Sequence, residues 1–178
     1  MNRYVKWAAQ PHSPRQRFGV LIPAGVFFLL LLPGLLIRLS RALDRRLRLP
    51  RLGPATRWPG LAAMGGGLAF ALRTIQMQFQ QGQGTPLPML PTQSLLATGP
   101  YAHCRNPMTL GTAVAYLGLG LWLGSLSAVG LVVGLTGLLL LYIKRAEEPE
   151  LAARFGMPYL EYKAQTPFFF PRLNRTAR

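Results

Sequence analysis

The sequence predicts an all-α, integral-membrane helical bundle of about four transmembrane helices, with a helix hairpin and a short C-terminal amphipathic helix on the cytosolic side. Three observations predict it. Half of the 178 residues are apolar and 14% are charged, well under the quarter usual in soluble domains. Stretches without an acidic residue cover 18–37, 59–73 and 108–143, and a bilayer crossing takes about 20 mostly apolar residues. The basic residues flank these stretches rather than interrupt them.

The first stretch follows a basic segment, as a secretory signal would. Its lead is long, however, and Arg38-Leu39-Ser40-Arg41 offers no small-x-small cleavage site, so it is expected to be a retained span. Pro23 and Pro33-Gly34 are expected to kink it. The second span is 59–73. The third stretch is too long for one crossing and divides at Gly124-Ser125-Leu126-Ser127, giving helices at 107–123 and 127–143. Gly120-x-x-x-Gly124 and Gly130-x-x-x-Gly134 lie inside these spans and read as close helix packing. The run Phe168-Phe169-Phe170 reads as packing of the tail at the membrane interface.

A net charge of +15 raises the possibility of nucleic-acid binding. The basic residues form no groove with interleaved aromatics, so no nucleic acid is expected and anionic lipid headgroups are the expected partner. Four spans put both termini and residues 80–106 on one side, with thirteen basic residues against seven in 38–57. The positive-inside tendency makes that side cytosolic. The seven outward arginines leave two alternatives open. The first apolar stretch is re-entrant, or 42–52 lies in the interface as a basic amphipathic segment.

Of five acidic residues, Glu147, Glu148, Glu150 and Glu161 fall just after the fourth span. Pro149 disfavours helix at Glu148 and suits a helix start. The span is therefore expected to break at Glu147-Glu148, before a short helix carrying Leu151, Phe155 and Tyr159 on one face and limited by Gly156 and Pro158. The acids either supply negative charge at that helix start or form a carboxylate pair able to bind hydroxyls, an amine or a cationic centre.

The polar stretch G-P-Y-A-H-C-R-N-P-M precedes the hairpin. Asn106 suits an N-cap and Pro107 a first helical turn, so the third span is expected to start there with free amides. Arg105 beside it can grip a carboxylate bidentately. Anion-seeking and cation-seeking groups at one bundle mouth would suit a zwitterionic ligand. Taken singly, Asn106, Arg105 and Tyr101 also read as a cap, a snorkelling anchor and an interface aromatic. Cys104 reads as structural, and His103 has no second ligand at metal-site spacing, so no metal is expected.

Together these residues resemble the isoprenylcysteine carboxyl methyltransferase and phospholipid methyltransferase superfamily, in its small bacterial members. The matching motifs are G-Q-G-T-P-L-P at 82–88, T-G-P-Y-x-x-x-R-N-P-M at 98–108 and E-E-P-E-L-x-x-x-F-G-x-x-Y-x-x-Y at 147–162. The resemblance implies a membrane methyltransferase using S-adenosyl-L-methionine, with the cofactor pocket on the cytosolic face and the acceptor reached from the bilayer. It implies two parts, an N-terminal region 1–81 and a methyltransferase-like region 82–178. Cofactor contacts are implied for Gln93, Ser94, Leu95, Leu96, Tyr101, Asn106, Pro107, Met108, Thr109 and Glu147, with Glu148 as the paired neighbour. Arg105 and Arg145 match basic positions near the acceptor or the cofactor carboxylate.

Two residues depart from the family's common R-H-P-x-Y. Asn106 replaces His and keeps a polar cap. Thr109 replaces Tyr, which removes an aromatic wall, so the adenosyl group is held differently or the acceptor differs. Methyl transfer needs chiefly alignment and exclusion of water. The bases on offer, Glu147, Glu148 and His103, are weak, which leans towards an anionic acceptor on a lipid-like or apolar small molecule. The alternatives are a non-catalytic transporter or lipid-binding protein and an inactive family member. A transporter usually carries an ionisable residue in mid-span, whereas Arg73 is the one charge inside a span and sits near its end.

Overall fold

Ser13 opens the first helix with a capping box. Its Oγ accepts from the Gln16 amide at 3.3 Å, and Gln16 Oε1 accepts from the Ser13 amide at 2.9 Å, so two donors of the helix end are satisfied reciprocally. The computed structural model describes residues 13–87 and 90–172. Arg3, Lys6, Arg175 and Arg178 of the charge count, and Pro88 of the 82–88 motif, lie outside the described residues.

Helix α1 (Pro14–Val26) passes through a π turn (Phe27–Leu31) straight into α2 (Leu32–Arg46). Leu32 N–H reaches back to Phe27 O, and Pro33 has no N–H to give. The Phe28 carbonyl is thus left without a helical donor, and it takes the Tyr116 hydroxyl instead. Pro33 is absorbed by this wide turn, Pro23 lies inside α1, and the helix continues through both.

A 3₁₀ turn (Pro54–Thr56) leads to α3 (Arg57–Gln80), followed by α4 (Pro100–His103), α5 (Pro107–Leu123) and α6 (Leu126–Tyr142). A second π turn (Ile143–Glu147), α7 (Glu148–Phe155) and α8 (Met157–Gln165) complete an all-helical chain, with no strand among the described residues. Arg17 of α1 donates to Phe79 O at the end of α3 (2.8 Å). Asp44, near the end of α2, accepts from the Ser125 hydroxyl and from the Ser127 amide at 3.0 Å. Thr56 donates to Leu121 O at 3.0 Å. One end of the bundle therefore gathers 44–57 and 121–127, and the other gathers 79–106 and 143–172. Residues 14–46 run the whole length between these ends as one continuous helical rod. Two helical rods, Pro14–Arg46 and Leu126–Phe155, are long and apolar enough to cross a membrane, and Pro107–Leu123 is a shorter apolar helix.

The close packing lies elsewhere than the two Gly-x-x-x-Gly pairs. Gly60 and Gly67 on α3 face Gly118 and Gly111 on α5, seven residues apart on each helix. A Cβ added at Gly67 would lie 2.4 Å from Ala115 N, and one at Gly118 would lie 2.4 Å from Met64 N. Backbone touches backbone along this antiparallel seam. Gly120 does meet Val129 across the hairpin, but Gly130 and Gly134 face open space. Gly124, at φ +65°, supplies the left-handed residue that ends α5.

The expected break at Glu147-Glu148 does not occur. Glu148 N–H bonds Ile143 O, five residues back, and Pro149 falls at the first turn of α7, where a missing donor costs little. The break comes at Gly156 (φ +62°, ψ −137°). Tyr159 consequently sits on α8 and does not share one helix face with Leu151 and Phe155.

Candidate active site

Three segments converge where 79–106 meets the end of α6. The 82–94 loop folds back on itself because Gln93 and Ser94 donate their amides to Gly82 O at 2.6 and 3.3 Å. Gly84 allows this, since a Cβ there would lie 2.4 Å from Thr92 N and Cα. The chain's last described stretch then straps the start of α5. Arg105 N–H donates to Pro167 O (2.9 Å), Asn106 Nδ2 to Phe168 O (2.9 Å) and Arg172 N–H to His103 O (3.3 Å). Asn106 holds the N-cap position, yet its side chain does not cap; it is committed to this strap.

These elements enclose a cavity of about 730 Å³, within the roughly 300–1,000 Å³ usual for small-molecule sites. Of the residues expected from the sequence, Leu95, Leu96, Tyr101, Arg105, Asn106, Pro107, Met108, Thr109, Glu147 and Glu148 line it. Gln93 and Ser94 do not line it, their amides being spent on the loop. Arg145 does not line it either, because the π turn leaves it exposed on the outside of the helix.

Arg105 and Glu148 are drawn to each other. Arg105 Nη2 lies 2.9 Å from Glu148 Oε1 and Lys163 Nζ lies 2.8 Å from Glu148 Oε2. Arg105 also donates to Lys163 O and stands over the Phe168 ring at 5.5 Å. Glu148 is 3% exposed, so its charge must be compensated. In this arrangement the pair fastens α7 and α8 to the start of α5, and Glu148 is not free for a ligand.

The acidic group facing the cavity is instead Glu147 with Glu150, and Arg154 is the cation beside them. Burial raises the Glu147 pKa above the usual carboxylate value, Glu150 adds to the rise and Arg154 opposes it; burial raises Glu150 as well. Arg154 Nη1 lies 2.8 Å from Glu150 Oε1, with its guanidinium 4.6 Å from the Phe155 ring centre. On the opposite elements, the Tyr101 hydroxyl accepts from Gln78 Nε2 at 2.6 Å, and Tyr162 donates to Tyr101 O at 2.7 Å. Burial pushes Tyr101 and Tyr162 far above the ordinary phenol value and Tyr159 up to about 12. All three keep their protons at neutral pH.

Gln78, Glu150, Arg154, Tyr159 and Tyr162 line the cavity and were missed by the sequence reading as site residues. The i,i+4 spacing of Glu150 and Arg154 was the available signal for two of them. Thr109 is shared with a second, apolar cleft of about 120 Å³, between the π turn of the first helix, α5 and α6, lined by Phe28, Leu36, Tyr116 and Leu135 among others.

Residues 55–157 match the phospholipid methyltransferase family. The cobalt-zinc-cadmium resistance protein CzcN of Cupriavidus metallidurans is 35% identical over 81 residues, 46% of this chain and 37% of the relative. The nickel-cobalt-cadmium resistance protein NccN of Alcaligenes xylosoxydans xylosoxydans is 32% identical over 80 residues, 45% of this chain and 37% of the relative. The match thus spans little more than a third of the length of these curated relatives. No solved structure matches. With its family match covering more than half of its residues, the chain belongs to the phospholipid methyltransferase family, a family of membrane methyltransferases.

Proposed function

We propose that the protein is a four-span membrane enzyme that uses S-adenosyl-L-methionine to methylate a lipid-like or apolar small molecule, bearing a carboxylate, thiol or amine, at the cytosolic face. The observation that carries this reading is the meeting of two unlike cavities at Thr109. The larger has the groups a zwitterionic, cationic cofactor needs. Glu147 faces its positive charge, the Glu150–Arg154 ion pair stands beside it as a polar wall that can turn its guanidinium to the carboxylate, and Leu95, Leu96 and Met108 supply apolar wall. The smaller is apolar and lies along the membrane-spanning helices, as an acceptor entering from lipid requires.

When bound, the cofactor supplies an already activated methyl group on a cationic sulfur. This chain's residues bind and orient: Glu147 holds the cationic end, Tyr101 stays a neutral donor, and the strap 167–172 fixes the start of α5, whose first residues line the site. Thr109, smaller than the family's aromatic, leaves a passage between acceptor and cofactor.

The names of the two relatives concern metal resistance. Among the described residues no three His, Cys, Asp or Glu side chains are grouped to hold a metal ion.

Calorimetric titration of the detergent-purified protein with S-adenosylhomocysteine tests the reading. Micromolar binding that Glu147→Ala abolishes is expected; no binding at millimolar ligand by folded protein refutes it.

A further inference from the structure

Gln78, which stands beside Tyr101 on the α3–α4 wall, has no role in the account above. Gln78 Nε2 donates to the Tyr101 hydroxyl oxygen, so the phenol keeps its own proton for another acceptor. Tyr101 is 7% exposed, and burial keeps that proton in place across the physiological range. Gln78 Oε1 is itself sealed from solvent and has no hydrogen-bond partner. An unpaired buried carbonyl costs about 1–3 kcal/mol, and such a group calls for an explanation. Turning the amide over gives the carbonyl to the phenol proton and leaves the NH₂ and the phenol lone pair instead. Either way the wall presents one donor and one acceptor side by side.

A ligand edge complementary to that pair has an acceptor next to a donor. The ring nitrogen and exocyclic amine of adenine form such an edge, and a glutamine amide reads it well. The charged residues Glu147, Glu150 and Arg154 stand on α7 and the turn before it, so the amino-acid end of a nucleoside-bearing ligand is drawn there and its base is left to the α3–α4 wall. We infer that Gln78 and Tyr101 form a nucleobase subsite that selects an adenine-type edge over its 6-oxo counterpart. This rests on the proposed cofactor, and it gives α3, which carries none of the sequence motifs, a direct part in ligand recognition.

The test is calorimetry of S-adenosylhomocysteine and S-inosylhomocysteine with the full-length wild type, Gln78→Leu and Gln78→Glu. The wild type should prefer the adenosyl ligand by about tenfold or more, the scale of one buried hydrogen bond. In Gln78→Leu the preference should collapse towards unity through loss of adenosyl affinity. Gln78→Glu, which offers only an acceptor, should shift the preference towards the inosyl ligand, whose ring N–H is a donor. A wild type that binds both ligands equally overturns the inference while leaving the cofactor assignment standing. So does a Gln78→Leu protein that loses both ligands in equal measure, which marks a purely structural residue; thermal unfolding identifies a misfolded variant, and Gln78→Glu then decides. A wild type that binds neither ligand overturns both readings.

Discussion

Placing one methyl group at Gly67 and, separately, at Gly66 puts the same change on two faces of α3 with opposite consequences. At Gly67 the new Cβ would stand 2.4 Å from Ala115 N and 2.6 Å from Gly111 O. Those are backbone atoms and cannot rotate aside, so α3 and α5 must part by about 1 Å to restore ordinary contact, an overpacking that costs about 1–3 kcal/mol. At Gly66 there is nothing within 4 Å. Both substitutions gain the same helix propensity, about 1 kcal/mol for Gly→Ala. The difference between the two variants therefore isolates the clash. In thermal unfolding of detergent-purified protein, at about 2–4 °C per kcal/mol for a chain of this size, Gly67→Ala should melt roughly 2–12 °C below Gly66→Ala. Equal melting temperatures, or a higher one for Gly67→Ala, would refute the seam. Gly118→Ala, whose Cβ would meet Met64 N at 2.4 Å, should behave like Gly67→Ala.

Asp44→Ala removes the acceptor shared by Ser125 and Ser127 and should lower stability in the same melt by about 2 kcal/mol, the scale of hydrogen bonds to a charged group. Arg105→Ala leaves Glu148 buried with Lys163 alone and should cost about 3 kcal/mol. Lys163→Ala, which removes a side chain 41% exposed, should cost under about 1 kcal/mol; a reversed order would show that Arg105 is not the partner that holds Glu148. Protons compete with the ammonium group of the ligand for the Glu147 carboxylate, whose pKa is raised by burial. Affinity for S-adenosylhomocysteine should thus begin to fall at a pH above the usual carboxylate range as the solution is acidified, and Glu147→Gln should flatten that part of the profile. A wild-type pH profile that coincides with that of Glu147→Gln would exclude Glu147 from the site.

The helices were legible because apolar stretches declare themselves. The hairpin turn at Gly124 and the helix start at Pro107 follow from local backbone chemistry that needs no tertiary context. The α3–α5 seam was not legible. Its glycines are spaced by seven on two separate helices, so only the pairing reveals them, while the visible Gly-x-x-x-Gly at 130–134 has nothing against it. Within the cavity, the order of Glu147 and Glu148 decides everything. Adjacent residues on a helix point about 100° apart, and which of the two meets Arg105 depends on the register set by a π turn that composition does not announce. Pro149 was read as a break for the same reason: a wide turn before it accommodates the missing donor. Arg105 was expected to await an anion, and the anion it found was Glu148.

The seam also divides the molecule by mobility. α3 and α5 touch backbone to backbone and can move only as one plate. The long first helix buries just Leu36 and Ser40 and is held at three separated places, by Arg17 to Phe79, Tyr116 to Phe28 and Asp44 to the hairpin turn. Low local burial means low local stability. A widening of the cleft beside Thr109 is therefore expected of this helix, which between its end clasps is seated in the core chiefly by Leu36 against Leu119, Ala128 and Val132, rather than of the plate opposite.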